Sequence, residues 1–156
     1  MEHVSTREVV STLNSLIAIC KDGEKGYSTA ANVVANDDYR ALFSKYAHQR
    51  REFAAELETA VRRLGGHPVK EGDIVGALHR RWINLRALLV NGNANLLIAE
   101  CETGEEAALE VYEEARRKNL YEDVGDVYVM VDRQYQAIRA AHDHIQALEK
   151  ADGQVS

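Results

Sequence analysis

The only proline of this chain, Pro68, stands in the stretch GGHPVKEGD at 65–73, and long segments on either side carry apolar residues at steps of three and four. A period sustained over that many turns selects helices, because a strand would need alternation every second residue. Ser5-Thr6-Arg7-Glu8 reads as a capping box, after which Leu13, Ile17, Cys20, Glu24, Tyr27, Ala31 and Val34 mark a first helix that ends near Asn36-Asp37-Asp38. A second runs from about Asp38 to Leu64 on Leu42, Tyr46, Phe53, Leu57, Ala60 and Leu64, and stops at Gly65-Gly66. The turn between them is short, so the two helices are antiparallel.

Beyond the proline, Val75, Leu78, Trp82, Leu85 and Leu89 predict a shorter amphipathic helix before the loop-like NGNAN at 91–95. A third long helix carries Ala94, Ile98, Cys101, Glu105, Ala108, Tyr112 and Ala115, and fades near Lys118-Asn119. The fourth spans about Asp123 to Lys150 on Val124, Val127, Val131, Gln134, Ile138, Ala141, Ile145 and Leu148, although its opening DVYVMV is β-prone. The expectation is one all-α domain over 1–156, an antiparallel four-helix bundle. Its parts are a hairpin at 5–65, a crossover with one additional short helix at 66–92, and a hairpin at 93–150.

Charge narrows the partners. A net charge of -6 with both signs interspersed offers no basic stripe for nucleic acid and no polybasic anchor for a membrane surface. No leader-like start and no membrane-length apolar run are present, so a cytoplasmic protein is expected, with its 2 cysteines reduced. A homo-oligomer or a protein partner remains among the expected associations. The sequence holds no nucleophile–base pair, Gly-rich phosphate loop or Cys-x-x-Cys, which leaves hydrolase, nucleotide-binding and disulfide-exchange readings without support.

The chain repeats itself. LIAICKDGE at 16–24 returns as LIAECETGE at 97–105, and REF at 51–53 lines up with RQY at 133–135. That overlay pairs Glu24 with Glu105 and Glu52 with Gln134. At ~1.5 Å per residue, each of the four lies roughly 20 Å from its own hairpin turn. Because a long crossover makes the second and third helices parallel, the turns sit at opposite ends and all four groups fall near the middle. Three carboxylates and a carboxamide there need shared protons, hydrogen-bond partners or a cation. Gln49 and Glu56 flank Glu52 and would replace it after a small rotation of the helix. His48 and Glu52 form an i, i+4 pair able to share a metal, and Cys101, Glu102 and His142 form a separate soft constellation. Gly23 and Gly104, each costing a helix interior about 1 kcal/mol, predict close approach of a neighbouring helix or a local bulge.

The segments LIAICKDGEKGY, RREFAAEL, GALHRRW, CETGEEAALEVYEEA and AAHDHI resemble, over nearly the whole chain, a small proteobacterial four-helix-bundle family of unknown function. That family lies within the ferritin-like superfamily of carboxylate-bridged di-iron bundles. The resemblance implies a Glu on the first and third helices and Glu-x-x-His on the second and fourth. Glu24 and Glu105 meet the single positions, whereas Glu52-Phe-Ala-Ala55 and Gln134-Tyr-Gln-Ala137 lack both histidines and one carboxylate. The expected protein is therefore a ferritin-like bundle without catalysis that holds iron or another divalent metal through Glu24, Glu52, Glu105 and Gln134. The alternative is a structural or protein-interaction module with a polar core and no metal. A small iron oxidase ranks last.

Overall fold

The computed structural model describes residues 6–70, 94–118 and 124–154, which form four α-helices: α1 (Thr6–Val33), α2 (Asp37–Arg63), α3 (Ala94–Arg117) and α4 (Gly125–Gln154). There is no strand among the described residues. Ser5, expected to cap the first helix, and the short crossover helix expected over 75–89 lie outside them.

Local chemistry sets the helix ends. Asn36 caps α2 by accepting the Tyr39 N–H at 3.0 Å, and Arg40 donates to the Val34 carbonyl at 3.0 Å, closing the turn from α1. At the other end, Gly66 N–H bonds the Val61 carbonyl and Gly65 N–H bonds that of Arg62, a Schellman stop with Gly65 at φ 83°. A Cβ on Gly66 would lie 2.7 Å from Val10 Cγ1, so the stop is pressed directly onto α1. Asn14 then brackets the departing chain, accepting from Val69 N–H at 2.8 Å and donating to the His67 carbonyl at 3.1 Å.

The core fixes the topology. One apolar cluster joins Val9, Leu13 and Leu16 of α1, Leu57 and Val61 of α2, Tyr112 and Ala115 of α3, and Val127 and Val131 of α4. The other joins Ala30 and Ala31, Phe43 and Tyr46, Leu97 and Ile98, and Ala141 and Ile145. The first cluster thus gathers the start of α1, the ends of α2 and α3, and the start of α4. Helices α2 and α3 are therefore parallel, and the hairpin turns sit at opposite ends, as the length of the crossover predicted. The β-prone DVYVMV is the first turn and a half of α4, because helical pitch buries Val127 and Val131 on one line while Val129 points outward.

Burial also sets the register between the halves. Leu16 and Leu97, Ile17 and Ile98, Cys20 and Cys101 are buried pairs, as the repeat predicts. The same offset carried into α2 and α4 matches Tyr46 with Val127, Arg50 with Val131, Phe53 with Gln134 and Leu57 with Ile138, all buried. The lettered match of REF with RQY is one residue out of this register, about 100° around a helix. Bulk is exchanged rather than repeated: Tyr27 corresponds to Ala108, and Ala31 to Tyr112.

Candidate functional site

Between the two apolar clusters lies a polar layer. Arg50 and Glu105, 1% and 0% exposed, are joined across it in a fork by Nη1–Oε1 at 2.5 Å and Nη2–Oε2 at 2.6 Å. Arg50 Nε donates to Gln49 Oε1 at 3.3 Å, and the guanidinium lies 5.6 Å from the Tyr27 ring centroid. Burial alone would favour the neutral guanidine, but the facing Glu105 carboxylate outweighs it and raises the Arg50 pKa above the ordinary arginine range. Gly23 makes room for this side chain: a Cβ there would come within 3.3 Å of Nη1 and 3.4 Å of Cγ. Close approach, one of the two reasons expected for this glycine, is the one realised at position 23.

Beside the ion pair runs a directed hydrogen-bond chain. Tyr112 O–H donates to Gln134 Oε1 at 2.6 Å, which leaves its oxygen to accept the Cys20 thiol at 3.1 Å. Gln134 Nε2 in turn reaches the Phe53 carbonyl at 3.4 Å and Glu56 Oε1 at 3.5 Å, and Arg133 donates to the other oxygen of Glu56. Burial pushes the Cys20 thiol up to about 11 against the opposing pull of Tyr112. Burial, and then the nearby Glu105, hold Cys101 well above the usual thiol range. Both thiols stay protonated at neutral pH, and Cys20 and Cys101 pack as small residues of the two apolar clusters.

The four groups expected at the centre occupy different environments. Glu105 and Gln134 are fully buried. Glu24 is half-buried and pairs with Arg51 Nε at 3.1 Å, and Glu52 is 65% exposed and pairs with His48 at 3.2 Å. Glu56, one of the flanking alternatives, is the α2 carboxylate that meets Gln134; the other, Gln49, braces Arg50. Sequence reasoning missed Arg50. Its signal was the empty place in the α2 stripe, where Tyr46 is followed by Phe53 and the missing step falls on residue 50.

On the outer seam of α3 and α4, Glu102, Glu106 and His142 bring one ligand atom each within 4.8 Å of the others. Cys101, expected beside Glu102 and His142, instead points into the core.

A family described as a domain of unknown function, DUF2383, matches residues 8–118. The chain belongs to the DUF2383 family. A solved structure similar to this family member is the bacterioferritin-related protein from Bacteroides fragilis, described as a dodecameric thioferritin in the bacterial domain. The two superpose at a TM-score of 0.76 with 14% identity, covering 98% of this chain and 90% of that one. At that identity the likeness speaks for the fold, a ferritin-like four-helix bundle. No curated protein matches the chain. No helix among the described residues is long and apolar enough to cross a membrane.

The residues do not fit the di-iron centre that such a fold implies. Glu105 has both oxygens engaged by Arg50, Gln134 is an amide committed to the Tyr112 hydroxyl, and Glu52 faces outward.

Proposed function

We propose that this DUF2383 member is a non-catalytic ferritin-like module in which Arg50 neutralises the central carboxylate and the polar layer fixes helix register. The buried Arg50–Glu105 fork carries this reading. Sliding α2 against α3 by one turn, about 5.4 Å, would strand two charges in an apolar interior, so only one register is stable. The Cys20–Tyr112–Gln134 chain adds a second constraint of the same kind across α1, α3 and α4. Such a module acts through its outer faces. Self-association is the corresponding expectation, since its fold neighbour is a dodecamer, and sedimentation velocity measures it.

The competing reading, iron or another divalent metal held by Glu24, Glu52, Glu105 and Gln134, requires Arg50 to leave Glu105. Anaerobic ferrous loading, desalting and elemental analysis separate the two, with oxygen uptake followed in parallel. The expected result is no oxygen consumption above that of free ferrous ion and no metal whose retention depends on Glu24. Near-stoichiometric iron that is lost in Glu24→Ala but kept in His142→Gln would overturn the proposal.

A further inference from the structure

We propose that Glu102 and Glu106 of α3 and His142 of α4 form a divalent-cation site that clamps the outer seam of the second hairpin. Glu102 and Glu106 are four residues apart and share one helix face. His142 Nε2 stands 3.9 Å from Glu102 Oε1 and 3.7 Å from Glu106 Oε1, too far for hydrogen bonds. Ligand atoms about 2.0–2.2 Å from a common zinc ion in tetrahedral geometry sit roughly 3.3–3.6 Å apart. Small rotations of the carboxylates, Glu106 being 56% exposed, close that gap.

The histidine is prepared for the task. Its Nε2 is buried and has no hydrogen-bond partner, although the Nδ1 edge of the same ring is engaged by Asp143 Oδ1 at 3.1 Å. A proton on Nδ1, donated to Asp143, leaves the Nε2 lone pair aimed at the two glutamates. This is the carboxylate–histidine–metal arrangement, in which the outer carboxylate selects the tautomer and strengthens the ligand. Gln146, one turn beyond His142, donates to Glu102 Oε1 at 3.2 Å and orients the first carboxylate in the same way. The side chains of His142 and Glu102 are only 13% and 15% exposed, while Glu106 opens to solvent, giving an entry path and a place for water to complete the shell. One imidazole and two carboxylates suit a borderline first-row dication such as Zn²⁺ better than a soft cation. The site shares no residue with the Arg50–Glu105 layer, so it stands or falls independently of the proposed function.

The metal-free 156-residue chain is titrated with Zn²⁺ against a chromophoric competitor, and with Co²⁺ while the visible d–d bands are recorded. The expected result is one equivalent bound, with affinity falling at least tenfold in His142→Gln and in Glu106→Gln, and unchanged in His48→Gln and Glu52→Gln. Helical circular dichroism verifies that each variant is folded. Asp143→Asn provides a graded readout: affinity falls about 10–100-fold, the usual scale for an outer-shell partner, while the stoichiometry stays the same. Absence of binding in the folded wild type, binding that survives His142→Gln, or loss in His48→Gln instead would each overturn the site.

Discussion

The two Cys-x-x-Gly-Glu copies share their letters and differ in what faces them. In the second, Glu105 is wholly buried against an arginine delivered by the other hairpin; in the first, Glu24 turns to Arg51 at the rim. The second helix of each hairpin explains the split. Arg50 of α2 is matched in burial by Val131 of α4, so only one half supplies a cation to the layer, and only the other half's glutamate can be buried by it. A repeated motif thus specifies a place in the fold, while the facing helix decides whether the charge stays there.

The sharpest way to break this contrast is Arg50→Leu. Stranding Glu105 is expected to cost about 3–5 kcal/mol in urea denaturation, and Arg50→Leu/Glu105→Leu is expected to recover most of it. Glu24→Gln, by contrast, should cost no more than about 1 kcal/mol, as exposed pairs do. Equal losses in Glu24→Gln and Glu105→Gln would erase the distinction between the copies. Next in size, Gln134→Leu removes the acceptor of the buried Tyr112 hydroxyl and should cost about 1–3 kcal/mol. Glu52→Leu, its partner in the lettered overlay, should stay within about 0.5 kcal/mol, apart from solubility effects.

Gly23→Ala sharpens the comparison through its sign. Crowding of Arg50 should outweigh the helix-propensity gain and give a net loss of about 1 kcal/mol in the wild type, turning to a gain of similar size in the Arg50→Leu/Glu105→Leu background. The remaining effect depends on pH and falls on alkaline stability. Burial raises Cys20 to about 11, so the unfolded thiol, near 8.5, ionises first. The stability this group supplies is full below pH 8.5 and fades as the pH rises toward 11. The urea midpoint of Cys20→Ala should therefore fall less steeply over that window than the wild type's.

Most of the architecture was legible because it depends on patterns spanning many turns. The steps of three and four, Gly65-Gly66 and the long crossover sufficed for four helices and for parallel α2 and α3. The centre was less legible because it depends on single residues, and one residue on a helix is about 100°. Matching REF with RQY gave Glu52 a place that burial assigns to Phe53, and Arg50 went unread because a charge in an apolar stripe looks like a gap. His142 and Glu102 were readable as ligand types. Glu106 was not, since its role depends on the distance between α3 and α4, which no spacing along the chain reports.

The exchange of Tyr27 and Tyr112 for alanines at matching positions decides which hairpins could pair. Two second hairpins joined as a symmetric pair would bury two Glu105 carboxylates with no arginine. Two first hairpins would crowd two tyrosine rings and two guanidiniums into one layer while leaving hollows at both copies of Ala31. Each half is the other's complement, so neither hairpin could build this core by pairing with a second copy of itself.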